Sequence, residues 1–267
     1  MIDIDILKKV YFWLDDPVPY QLAKDKEILI YPIGVKDSEL FLSCADLISI
    51  DKNSLSDAKF ISMSYLEFIT MNFIFNENER IAQISRNKLG TLFKMCLHQE
   101  NNIAIGFNER KKPIIYCDDY QILPKHFEDI RRIILYQNLV DYDDSYVNPD
   151  IKEAIEEVNK VKNKNIEVPD IERKIAIITA HTGISKSVQL EMTYRTHSNL
   201  FKEVYGEVDY STLRTAALIG NMFSKKQNEI EDWIYKKKHG KFDNYFVSKD
   251  EFANSMGGAI SIRSENP

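Results

Sequence analysis

Glycine is scarce: the chain has nine in 267 residues. Loops that cradle phosphate with backbone amides need glycines at fixed spacing, and neither G-x-x-x-x-G-K-[ST] nor G-x-G-x-x-G occurs. Cysteine is scarcer still. Cys44, Cys96 and Cys117 are far apart, odd in number and set in apolar surroundings, with no C-x-x-C spacing. That argues against a disulfide framework or a zinc ribbon, and for reduced thiols in a core. No apolar run approaches the ~18 residues that cross a bilayer. The opening MIDIDILKKVYFW carries acids in its first turns and does not read as a secretory signal. No H-E-x-x-H places two histidines on one helical face, and no G-x-S-x-G elbow exposes a serine, so Ser185 and Ser187 are poor nucleophiles. A basic excess is missing too. A net charge of −6 gives no general pull towards nucleic acid or an anionic membrane.

What the chain does have is apolar and aromatic content. It is 44% hydrophobic, with fourteen tyrosines and fourteen phenylalanines, enough for one large core or two modest ones. The pattern predicts an α+β fold: a mixed N-terminal domain with a small sheet (1–140), a charged linker with a helix (141–169), and a mainly α-helical C-terminal domain (170–256). Residues 257–267 follow as a loose tail. In the first domain EILIYPI reads as a strand that Pro32 ends or places at an edge. A helix starts near Asp37. Ser64 and Glu67 form a capping box ahead of Tyr65, Phe68, Ile69 and Phe73, which share a broad apolar face. Ile81, Ile84, Leu89, Leu92, Phe93 and Cys96 continue a helical period, weakened by Gly90. IAIGFNERKKPIIYCDDYQI gives two short strands around a charged turn, and HFEDIRRIILYQNLV another helix.

From Asp141 charge takes over. Asp141, Asp143 and Asp144 are dense but lack the ligand order and central glycine of an EF-hand, so they read as a solvated acidic turn. Between Pro149 and Pro169 a helix carries a narrow stripe of Ile155, Val158 and Val161. The C-terminal segments are DIERKIAIITAHTG, SKSVQLEMT, YRTHSNLFKEVYG, YSTLRTAALIGNMF and NEIEDWIYKKKHG. A short strand is expected at Tyr245–Val247 and a second capping box at Ser248 and Glu251. In HTGIS, Gly183 supplies a left-handed helix cap, Ser185 caps the next helix, and His181 sits favourably at a helix carboxyl end. The helix–glycine–helix layout also permits a DNA-reading motif, with Lys186, Gln189 and Arg195 as base-reading types. Glu191 and the apolar Val188, Leu190 and Met192 oppose that reading. The basic run Lys236 to Lys241 is offset by Glu229, Glu231 and Asp232. His98, His126, His197 and His239 lie in separate segments with no ligand spacing, so no metal, cofactor or catalytic residue is assigned and the chain is expected not to be an enzyme.

Several segments together resemble the tail assembly chaperones of long-tailed phages that infect Gram-positive bacteria. ILIYPIGVKD, ISMSYLEFI, FEDIRRIILYQN and NPDIKEAIEEV resemble the amino-terminal half of that family. HTGISKSVQLEMTYRTHSNLFKEV and IEDWIYKKKHGKFDNYFVSKDEF resemble its carboxyl-terminal part. The resemblance implies a protein that binds the hydrophobic tape measure protein transiently and keeps it soluble in the host cytoplasm until the tail tube assembles. It implies absence from the mature virion and no cofactor. The tail tube protein and a second copy of the chain are further candidate partners. Helix-in-groove binding would use aromatic and aliphatic anchors; the candidate protein-binding residues are Tyr65, Phe68, Phe73, Tyr194, Phe201, Trp233 and Tyr235. Two other readings are a neck or baseplate protein of the particle and a DNA-binding regulator using the 173–205 helices.

Overall fold

The computed structural model describes residues 2–52, 58–99, 103–117, 119–145, 148–162, 168–219 and 234. Its first sheet is an antiparallel hairpin, β1 (Val18–Ala23) and β2 (Lys26–Ile30), with Val18 opposite Ile30 and Tyr20 opposite Ile28. Alternation explains it: those four side chains share one face and are buried. β2 ends before Pro32, as expected from EILIYPI. Neither β1 nor the helix ahead of it, α1 (Ile4–Val10), was anticipated. The second sheet has the order β3 (Ala104–Phe107), β4 (Pro113–Tyr116), β5 (Gln121–Ile122), all antiparallel. The two expected strands are β3 and β4. Their turn is organised by the Asn108 side chain, whose Oδ1 accepts from the amides of Arg110 and Lys112.

Helices α2 (Ser38–Ser49), α3 (Ala58–Ser62), α4 (Tyr65–Ile69), α5 (Glu79–Leu97) and α6 (Pro124–Asn138) complete this region. Its core joins Phe41 and Ile48 of α2, Leu66 and Ile69 of α4, Leu89, Leu92 and Phe93 of α5, and Phe127, Ile130 and Ile134 of α6. The capping box forms as read. The Ser64 amide donates to Glu67 Oε2 at 2.9 Å, and the Glu67 amide donates to Ser64 Oγ at 3.3 Å. The helix does not continue unchanged, however. Thr70–Ile74 widens into a π-turn, closed by the Phe75 amide donating to the Thr70 carbonyl at 2.9 Å. The wider turn keeps Thr70 and Ile74 inside and sends Met71 and Phe75 outward. Gly90 is carried within α5 without a break. Ile81 and Ile84, expected on its buried face, are 41% and 46% exposed.

Helix α7 (Pro149–Lys162) lies where a charged helix was read, with Ile151 and Val158 exposed. Then come α8 (Ile171–Thr182), α9 (Lys186–Leu190) and α10 (Tyr194–Ile219). The two segments read separately as YRTHSNLFKEVYG and YSTLRTAALIGNMF are one helix as far as Ile219. An internal glycine such as Gly206 costs a helix only about 1 kcal/mol, too little to break it. The chain divides into two compact units. One comprises Met1–Pro149 with Val168–Tyr205; the other comprises Asp150–Glu167 with Gly206–Pro267. The expected strand at Tyr245–Val247 and the capping box at Ser248 and Glu251 lie outside the described residues.

Candidate protein-docking groove

The HTGIS stretch behaves as a stop and restart. Gly183 caps α8 at φ 76°, and its amide donates to the Thr179 carbonyl. Ser185 caps α9, and His181 is exposed in the last turn of α8. The turn is closed by a side chain the sequence did not single out for that purpose. Gln189 is fully buried, and its amide nitrogen donates to the Ile175 carbonyl (3.2 Å), Thr179 Oγ1 (2.9 Å) and the Ile184 carbonyl (2.9 Å). Its Oε1 lies 3.1 Å from His197 Nε2.

The same unit ties α9 and α10 to the first sheet region. Gly34 bridges Thr193, with the Val35 amide donating to the Met192 carbonyl and the Tyr194 amide to the Ile33 carbonyl. Asp15, held at φ 61°, accepts from the hydroxyls of Thr193 (2.7 Å) and Thr196 (2.8 Å). Arg195 donates to the Tyr136 carbonyl at 2.8 Å, and Lys36 pairs with Glu191. Of the three residue types that could read bases, Gln189 and Arg195 are thus already engaged inside the fold. Lys186 remains exposed.

The dense acids separate on inspection. Asp144 is no solvated turn residue: its carboxylate accepts from Arg132 Nε at 2.7 Å and from the Tyr136 hydroxyl at 2.7 Å. Asp141 pairs with Lys202. Asp143 accepts from the Ser145 amide at 2.8 Å. Among the described residues no group of His, Cys, Asp or Glu is placed to hold a metal, and no helix is long and apolar enough to cross a membrane. Another polar set joins Tyr20, His126 and Asp129. The Tyr20 hydroxyl donates to Asp129 Oδ2 at 3.1 Å and lies 3.0 Å from His126 Nδ1. Burial, and then the Asp129 charge, push the phenol up, which keeps it protonated. Cys44 and Cys96 are buried free thiols pushed up by burial, hence poor nucleophiles; Cys117 is half-buried.

The candidate protein-binding residues fall into four groups. Tyr65 and Phe68 are each 2% exposed and belong to the core, so they are corrected from surface anchors to packing residues. The apolar period that marked them faces α6 instead: Tyr65 stacks on Phe127 at 6.4 Å. Tyr194 and Phe201 are half-buried; Lys174 Nζ sits 5.7 Å over the Phe201 ring. Trp233 and Tyr235 lie outside the described residues. Among the described candidates, Phe73 alone reaches a groove. Carried on the π-turn, it lines a cavity of about 290 Å³ with Leu47 of α2, Ile50 just after it, and Ile81 and Ile84 on α5. Asp46 and Lys88, paired at 2.6 Å, form a polar rim. Aliphatic walls with one ion pair at the edge suit the apolar row of a helix rather than a reacting polar molecule. The groove was missed because Ile81 and Ile84 follow the same period as the core residues of α5; periodicity marks a face but not whether anything covers it. A second set of exposed apolar side chains, Ile6, Val10 and Trp13 with Leu14, was missed because α1 itself was not read as a helix.

No model of a protein family matches the chain, and no curated protein and no solved structure matches it.

Proposed function

We propose that the protein is a tail assembly chaperone of a long-tailed phage, holding an apolar helical segment of the tape measure protein in the groove of Phe73, Ile81 and Ile84. The observation that carries this reading is the groove itself: two isoleucines one helical turn apart, 41% and 46% exposed, beside a half-buried phenylalanine and two further aliphatic side chains. The motif order of the chain supports the same reading. A transient client needs reversible affinity, and a shallow aliphatic groove supplies it without covalent chemistry or a cofactor. The protein then acts in the host cytoplasm and leaves before the virion matures.

Co-expression tests the proposal. The cognate tape measure protein is expected to become soluble and to co-purify with this chain. Ile81→Glu combined with Ile84→Glu is expected to lower the co-purified amount at least tenfold. Because both sites are surface-exposed and glutamate favours helix, folding stability should change by less than about 1 kcal/mol in urea titration. Equal capture by the double variant would remove the groove from the proposal, and no capture by the parent chain would remove the chaperone role. Stoichiometric presence of the chain in purified virions by mass spectrometry would assign it to the particle instead.

A further inference from the structure

We infer that His197 makes the α8–α9–α10 arrangement an acid-sensitive latch: a proton added to its Nδ1 meets no acceptor among the described residues, and the charge is relieved by opening the helix–turn–helix to water. This inference rests on the local geometry and stands apart from the proposed client. His197 is fully buried. Its tautomer follows from Gln189. The amide nitrogen of Gln189 faces three acceptors, so Oε1 is the atom turned to the ring, and only an Nε2–H can donate to it. The neutral ring therefore leaves Nδ1 bare, and that nitrogen is buried without a hydrogen-bond partner among the described residues. On the helices that form the hairpin, the apolar Ile175 and Ile178 of α8 and Val204 of α10 are buried as well.

The charges around the ring point the same way. Lys174 on α8 is the cation that acts on it. From α9 the facing group is the neutral Gln189, while Lys186 is exposed and Glu191, just past α9, pairs with Lys36. On α10 Arg195 is directed to the Tyr136 carbonyl. Burial, and then Lys174, hold the imidazole below its ordinary range. Folded protein thus binds fewer protons than the opened form. Stability is complete above the ordinary imidazole value of about 6.5 and falls as the pH drops from there towards the folded value.

The full chain carries the test. Amide exchange at Gly183 and Gln189, corrected for the intrinsic pH dependence of exchange, reports opening. Below pH ~6.5 the opening equilibrium is expected to rise about tenfold per pH unit, as one proton requires. His197→Gln, which keeps an N–H donor for Gln189 Oε1 but cannot take the proton, should flatten that dependence. An identical pH dependence in parent and variant overturns the inference. Should the variant fail to fold, the ring nitrogens of His197 in the parent chain decide by NMR titration. Nδ1 staying unprotonated until the hairpin opens supports the latch. Protonation of Nδ1 within an intact hairpin overturns it.

Discussion

Arg131→Ala is expected to lower the unfolding free energy by about 4 kcal/mol, the range for a buried ionic group deprived of its partner. Arg131 on α6 is 6% exposed. One nitrogen, Nη1, donates to the Ile48 carbonyl at 3.0 Å and to the Tyr142 hydroxyl at 2.9 Å. Nη2 donates to Glu128 at 2.9 Å, and the guanidinium lies 4.1 Å from the Tyr65 ring centroid. A single side chain therefore closes the carboxyl end of α2, the face of α4 and the segment after α6. Its removal strands a buried carbonyl, leaves a cavity under Tyr65 and takes away a cation–π contact worth about 1–2 kcal/mol. Arg131→Lys keeps the charge but not the planar fork, so it should restore less than half of the loss. Urea titrations of the parent and both variants measure this. A loss below about 1 kcal/mol in the alanine variant would show that water replaces these contacts readily.

Gln189→Ala should cost about 3 kcal/mol, since it leaves the His197 donor unsatisfied and opens a void in the hairpin. Here the loss is local. The buried amide is replaced by a methyl group, while the exposed Ser185 cap and the Gly183 turn stay in place. Protease cleavage between Thr182 and Lys186 should therefore accelerate before global unfolding does. Gln189→Glu separates the hydrogen bonds from the shape: a carboxylate keeps an acceptor for His197 but cannot donate to the Ile175 and Ile184 carbonyls. Its stability should fall by a similar amount at neutral pH, and partly recover on acidification if the carboxyl group protonates. Unchanged cleavage in the alanine variant would mean that the helix–turn–helix is held by its outer contacts alone, such as Asp15 with Thr193 and Thr196.

The local devices were readable in the chain because each acts within a few residues. Ser64 and Glu67 cap each other across one turn, and Gly183 and Ser185 end one helix and start the next. Hydrophobic period likewise placed α2, α4, α5 and α6 and the strands β2, β3 and β4, but not the short α1 and α3. It failed where two outcomes share one period. Tyr65 and Phe68 went to the core, while Ile81 and Ile84, equally apolar and equally spaced, lined an open groove. The π-turn at Thr70–Ile74 escaped notice too. One residue more per turn leaves no composition signal, yet it decides that Phe73 faces the groove and that Met71 and Phe75 face solvent.

Read alone, the chain determined its α+β class, its helix ends and its supply of apolar surface, all consequences of short-range sterics, capping and amphipathic period. Tertiary structure decided which apolar faces are covered and which polar groups are consumed. Gly34 meets Thr193, Asp15 meets Thr196, and Arg131 meets Ile48. Those pairs are remote along the chain, and each is selected by burial, where an unpaired polar group is costly, and not by any local preference. Gln189 and Arg195 show the consequence: residue types able to read a surface partner were drawn inward because the fold needed their hydrogen bonds more.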